Sequence, residues 1–261
     1  MSLCALISSL VLGASAFNDT FDRGVSAYEN KDYVGAIEAF ELLVSEQVVD
    51  PAVFHNLGNA YYRSGRLGPA IANYERALQV HPGYENAAEN LEQCVRQTEH
   101  RLPRPMPSEW EQSLLFWHYR LRPATTRALA VVSWLAFWLI LGVRQVRRIP
   151  YLGVCAIALG VLAVAFGGSA WAKAHPDSIA VAGVEKTSVY YGKDQTSTVR
   201  FELYEGDRVL VDQREDGWVR VGTVKGDRGW AREEAFAFVG PPYERFFLAT
   251  DDVSVSNGAG S

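Results

Sequence analysis

Residues 128–172 read ALAVVSWLAFWLILGV, then RQVRR, then IPYLGVCAIALGVLAVAFGGSAWA. Neither apolar run, Ala128–Val143 or Ile149–Ala172, contains a charged residue; the charges are Arg144, Arg147 and Arg148 between them. Crossing a bilayer takes roughly 20 mostly apolar residues at about 1.5 Å of rise each. The second run, with 24 residues, meets that alone, while the first has 16 and needs Thr125, Thr126 and Arg127 in the headgroup zone. A buried core helix seldom sustains such a length without one charge. The stretch predicts a hairpin of two membrane helices, 125–143 and 149–172, within a multidomain membrane protein.

The second run carries a further pattern. Gly153, Gly160 and Gly167 recur every seven residues, as do Ala156, Ala163 and Ala170. On a helix these small residues form one stripe where another backbone can approach, and such seams drive helix association in lipid. The first span is the nearest partner, with Trp134 and Trp138 as candidate knobs; a separate membrane protein is the other.

Upstream, Glu109–Leu121 holds Trp110, Phe116, Trp117 and Tyr119 among cations, a composition suited to an interfacial belt. Before it, Pro103, Pro105 and Pro107 alternate with other residues and predict a stiff spacer, so 102–124 reads as linker and juxtamembrane segment. At the N-terminus, apolar Leu3–Leu12 is followed by Ala14-Ser15-Ala16, the order of a cleaved secretory signal over 1–16. Export of the segment that follows, with the arginine turn on the cytoplasmic side, predicts that both soluble regions face the same extracytoplasmic side.

Between signal and linker, residues 17–101 repeat at a spacing of 34: Gly24 with Gly58, Ala36 with Ala70, Phe40 with Tyr74, and Leu43 with Ala77. The second copy reads Phe54-x-x-Leu57-Gly58-x-x-Tyr61, then Ala70-x-x-x-Tyr74, then Pro82. This closely resembles the tetratricopeptide pattern. Gly58 lets paired helices approach, Gly65 fits the turn, and Pro82 ends the second helix. The first copy is looser, with Ala27 at the Tyr position and Lys31 at the turn Gly, and Tyr84–Gln97 reads as a polar capping helix. All-α repeats of this kind present a concave face to partner peptides. The residues placed there are Phe21, Val25, Tyr28, His55, Asn59, Tyr62 and Arg63, with Tyr28, His55, Asn59, Tyr62 and Arg63 as the binding candidates. Asn59 and Arg63 resemble the amide-plus-cation arrangement that grips peptide carboxylates in some tetratricopeptide proteins; a stack-stabilising role for Asn59 is the plainer alternative.

After Ser178 the chain turns to short alternating runs broken by glycines, which predicts a small all-β barrel over 178–240. The order Glu205-Gly206-Asp207-Arg208-Val209, then Asp216-Gly217-Trp218-Val219-Arg220-Val221, then Gly229-Trp230-Ala231 resembles bacterial SH3-like domains. That resemblance implies binding of cell-wall peptides or of protein surfaces. Tyr190, Tyr191 and Trp218 are the candidate surface aromatics, with core filling equally open for Trp218. The segment 241–261 is polar and Gly/Ser-rich, and is expected to be a partly disordered tail.

The net charge of −5, with no Lys/Arg block longer than two residues, argues against a nucleic-acid surface. The three cysteines, Cys4, Cys94 and Cys155, sit in the leader, the cap helix and the second span, so no intrachain disulfide is expected. No metal-ligand spacing, phosphate loop or nucleophile elbow is present, so no catalytic residue, metal or cofactor is expected.

The domain order, with Leu115-Phe116-Trp117-His118-Tyr119-Arg120-Leu121 just ahead of the first span, resembles the Bat aerotolerance family, specifically its tetratricopeptide members. The resemblance implies a non-catalytic scaffold working beside membrane proteins with von Willebrand A domains, in a complex linked to stress tolerance. The rival reading is a cell-wall sensor whose β-barrel binds peptidoglycan peptides.

Overall fold

A computed structural model describes residues 3–100, 115–147, 151–175, 178–223 and 226–244, with side chains from Ala16 onward. Most of the proline spacer, part of the arginine turn and the tail beyond Glu244 lie outside the described residues. The chain divides into two compact units, one holding the helical repeats with a β-sheet, the other holding two long apolar helices.

In the first unit, α1 (Leu3–Glu29), α2 (Tyr33–Ser45), α3 (Pro51–Arg63), α4 (Leu67–Val80) and α5 (Glu85–Gln97) follow one another. The apolar run expected as a leader is continuous with α1. Each second-copy boundary has a local cause. Asp50 accepts a 2.7 Å bond from the Ala52 amide beside Pro51 at the first helical position, and Gly65 turns the chain at φ +82°. In the first copy Asp32 caps α2 through the Gly35 amide, and Lys31 takes the turn glycine's place at φ 62°.

Gly24 lies under the Phe40 ring and Gly58 under the Tyr74 ring, so close that a β-carbon would come within 2.7 Å of either ring. That contact sets the distance between paired helices in both copies. Deeper in the stack, the Tyr61 hydroxyl donates to Glu41 at 2.7 Å, and Phe40, Leu43, Phe54 and Leu57 are fully buried.

The sheet is seven-stranded and antiparallel: β1 (Ile179–Ala182), β2 (Lys186–Tyr190), β3 (Val199–Tyr204), β4 (Arg208–Glu215), β5 (Trp218–Gly222), β6 (Arg228–Arg232) and β7 (Phe236–Phe238), in the order β3-β2-β6-β5-β4-β1-β7. Val189, Leu203, Val209, Val219, Val221 and Phe236 form its core, as period-2 alternation requires.

The repeats and the sheet pack on each other through α4. Arg76, 1 % exposed, donates to the Phe238 carbonyl through Nε at 3.0 Å and through Nη2 at 2.8 Å. It also reaches the Glu244 carbonyl at 2.7 Å. Beside it, Arg208 and the fully buried Glu75 form a 3.0 Å ion pair. The Gly68 amide donates to Glu205 at 2.9 Å, and His100 meets the buried carboxylate of Asp207 at 2.8 Å. Glycines open the approach on both sides. A β-carbon on Gly68 would collide with the Ala182 carbonyl, and one on Gly206 with Thr98. The start of the expected tail belongs to this contact, because Tyr243 is 7 % exposed and packs its ring 4.8 Å from that of Phe54.

In the second unit, the short α6 (Phe116–Arg120) precedes α7 (Pro123–Val146) and α8 (Leu152–Ala174). These two helices, of 24 and 23 residues, are long and apolar enough to cross a membrane. Thr126 and Ser133 on α7 face Ala156, Ala163 and Ser169 on α8, the buried positions of the pair. Two expectations need correcting. Phe137, not Trp134 or Trp138, packs against Gly160, its ring 3.4 Å from where a β-carbon would stand. The tryptophans, 51 % and 53 % exposed, are rotated off the buried face. Gly167 meets open space, whereas Gly153 lies beneath the Arg144 guanidinium. At one end of the pair, His118 and Ser169 are 2.8 Å apart, and Lys173 donates to the Leu121 carbonyl at 2.6 Å and to Thr126 at 2.8 Å.

Candidate functional site

The helical region opens on one face into a cleft of about 270 Å³, lined by Tyr28, Asn59, Tyr62, Arg63, Tyr74, Asn90 and Gln93. Four helices position these groups, Tyr74 coming from α4. Tyr28 ends α1. Asn59, Tyr62 and Arg63 occupy one side of the last turn of α3, where positions three and four apart share a face. Asn90 and Gln93 project from α5.

Hydrogen bonds orient the cleft. The Asn59 side-chain oxygen accepts from the Tyr74 hydroxyl at 2.7 Å and from the Asn90 amide at 2.9 Å. Its acceptor capacity is used, and its NH2 group is what it can offer a ligand. The Tyr62 hydroxyl accepts from Gln93 at 3.0 Å and Gln97 at 2.8 Å, and Arg63 Nε donates to Tyr28 at 3.4 Å. Arg63 is the one charged residue of the lining. Amide and guanidinium donors one turn apart, without a carboxylate, suit carbonyl or carboxylate oxygens.

Of the residues expected on this face, Tyr28, Asn59, Tyr62 and Arg63 are brought together. His55 is set behind them, its Nε2 accepting from Asn90 at 3.2 Å and its ring edge-on to Tyr84 at 5.2 Å. Burial lowers the His55 pKa from its ordinary value, against a smaller opposing hydrogen bond to Asn56. It therefore stays neutral as an acceptor. Burial raises the Tyr74 hydroxyl and pushes the Cys94 thiol up to about 12, leaving that cysteine unreactive.

Asn90 and Gln93 were missed in the sequence because α5 reads as a capping helix. Their signal is visible in the helix periodicity: Asn90, Gln93 and Gln97 form a polar stripe along one flank of the buried Ala87, Leu91 and Cys94. Arg76 and Arg208 carry no such signal, since charged residues on a helix or strand ordinarily read as solvated.

On the sheet, Tyr191 is 62 % exposed and Tyr190 is half-buried. Trp218 is not a surface aromatic: at 6 % exposure it lies under the Arg232 guanidinium, 4.4 Å from the ring centre, with the Tyr190 ring edge-on to it. The hairpin that carries it folds the indole onto the sheet beneath that arginine. Among the described residues no group of His, Cys, Asp and Glu could hold a metal ion.

Stacked antiparallel helix pairs repeating at a fixed spacing, with glycine–aromatic contacts inside each pair, define an α-helical repeat module. The family model described as tetratricopeptide repeat matches residues 51–84, which span α3, α4 and the turn into α5. No curated protein matches the chain. Tetratricopeptide repeats are typically non-catalytic and mediate protein–protein interaction, so this region is a protein-interaction scaffold.

Proposed function

We propose that the chain is a membrane-anchored adaptor that holds a partner protein's peptide in the cleft beside Asn59 and Arg63. The observation that carries this reading is the division of the repeats' surface. The outer side of α4 is closed by the sheet, and the polar cleft opposite it stays open with unused amide and guanidinium donors.

Anchoring rests on α7 and α8. The chain leaves the repeat–sheet module after His100 and rejoins it at Ser178, so two crossings return it to the side it left. On this reading the module faces the periplasm, α1 begins as a secretory leader, and the arginine turn is cytoplasmic. The strand–glycine–tryptophan order supports reading the sheet as SH3-like, and the resemblance of the FWHYR element and the domain order supports a role in a Bat-type complex beside von Willebrand A membrane proteins.

The test is a photoreactive amino acid at Tyr62 in the full chain in native membranes. Discrete protein adducts that disappear in Asn59→Ala/Arg63→Ala are expected. Adducts unchanged by that double substitution, or confined to lipid, would overturn the cleft reading. Retention on purified sacculi that depends on Tyr191 would instead favour the peptidoglycan sensor.

A further inference from the structure

A second surface of the same module has features that the repeats do not explain. Along β5 and β6 the register places Arg220 opposite Trp230, with Arg232 opposite Trp218 and Arg228 opposite Gly222. Side chains two apart on a strand share a face, so Arg220 stands diagonally between Arg228 and Arg232 around the indole of Trp230. Like charges at that spacing repel unless something anionic lies among them. Asp212 reaches Arg228 at 3.5 Å, and Glu215, opposite Trp218 on the same face, pairs with Lys193. Arg220 and Arg232 have no ion pair among the described residues. With Arg228 and Lys193 paired on this face, Arg220 and Arg232 are the two cations left to meet an outside anion.

The aromatic rings support the cations. The Arg232 guanidinium lies 4.4 Å over Trp218 and the Lys193 ammonium 4.5 Å over Trp230. A guanidinium resting over an indole has lost part of its rotamer freedom before any ligand arrives, and its N–H groups can still donate to a carboxylate. The same stacking discriminates among anions. Sugar rings and nucleobases need bare ring faces, and on these two indoles a cation occupies that place. Carboxylates need only the N–H groups.

We propose that this face, centred on Arg220 and Arg232, docks an acidic peptide segment of a protein partner, with two of its Asp or Glu side chains taken by the two guanidinium groups. This rests on the reading of the chain as a protein-binding adaptor and adds the chemistry of a second contact.

The test uses the full chain in detergent and a fluorescent twelve-residue peptide of alternating Glu and Gly, titrated at low salt, beside the same peptide with Gln for Glu. Glutamate-dependent binding that weakens at least tenfold in Arg220→Gln/Arg232→Gln is expected. The Arg220 side chain makes no hydrogen bond or ion pair among the described residues, so the single variant Arg220→Gln, which leaves the strand backbone intact, should keep the fold and lose about half of that effect on a logarithmic scale. Equal binding of the Gln peptide, unchanged binding in a double variant with wild-type unfolding, or tighter binding of an oligonucleotide or acidic polysaccharide would overturn the proposal. Arg63→Ala separates the two sites. Loss of photo-adducts at Tyr62 with peptide affinity unchanged is expected if both readings hold. Absent adducts in the wild type with intact peptide binding would sink the cleft reading alone.

Discussion

The two helix pairs of the repeat region make an instructive comparison because equivalent positions have opposite fates. Both keep a glycine beneath an aromatic ring, Gly24 under Phe40 and Gly58 under Tyr74, at the same 2.7 Å approach. On their outer surfaces they diverge. Val34 and Leu42 in the first pair are 64 % and 39 % exposed, while the residues 34 positions later, Gly68 and Arg76, are buried against the sheet. The inner contact defines the repeat, and the outer surface is free to acquire a neighbour. Only the second pair has acquired one, by removing a side chain at Gly68 and supplying donors at Arg76.

The largest expected effect tests that asymmetry. Arg76→Ala leaves the Phe238 and Glu244 carbonyls without their donor and strips a cation from a buried charged cluster. It should cost about 3–5 kcal/mol in urea unfolding of the detergent-solubilised chain. Leu42→Ala, at the equivalent place, should cost under about 1 kcal/mol. Similar losses at both would mean the sheet contact contributes little. The shared inner contact comes next. Gly24→Ala and Gly58→Ala should each cost about 1–3 kcal/mol, because the ring beneath must move. A near-neutral Gly24→Ala would show that the first pair is looser than its geometry.

Turn chemistry gives a smaller and opposite-signed effect. Lys31→Gly relieves a non-glycine residue at φ 62° and should raise stability by about 1 kcal/mol, whereas Gly65→Ala should lower it by about the same amount. Identical signs would argue against one turn geometry in both copies.

The smallest effect is in pH. The folded-state pKa of His55 is lowered, so the stability it contributes is present above its unfolded value near 6.5 and is lost as pH falls through the lower folded value. A midpoint that drops on acidification below about pH 6.5 is expected, and His55→Asn should flatten that part of the profile. An unchanged profile in the variant would assign the acid sensitivity to other groups.

Much of the fold was legible because it follows from local pattern. The 34-residue spacing, the paired Gly–aromatic positions and the capping Asp50-Pro51 mark the helices. Uncharged runs mark α7 and α8, and alternation with Gly-rich turns marks the strands. Asn59, Tyr62 and Arg63 converge for the same reason, since i, i+3 and i+4 positions on α3 share one face, while Tyr28 joins them from the end of α1. Where local pattern was silent, the fold decided. His55 turned to support Asn90, the knob facing Gly160 was Phe137 rather than a neighbouring tryptophan, and Trp218 went under Arg232.

The sequence by itself determined the elements, because helix periodicity, strand alternation and apolar length are properties of neighbouring residues. Only the tertiary structure decided that the repeats and the sheet form one module. That contact joins Arg76 to Phe238 and Glu75 to Arg208, across more than 130 residues of chain. A charge next to others on a helix looks solvated until the fold brings its distant partner and excludes the water.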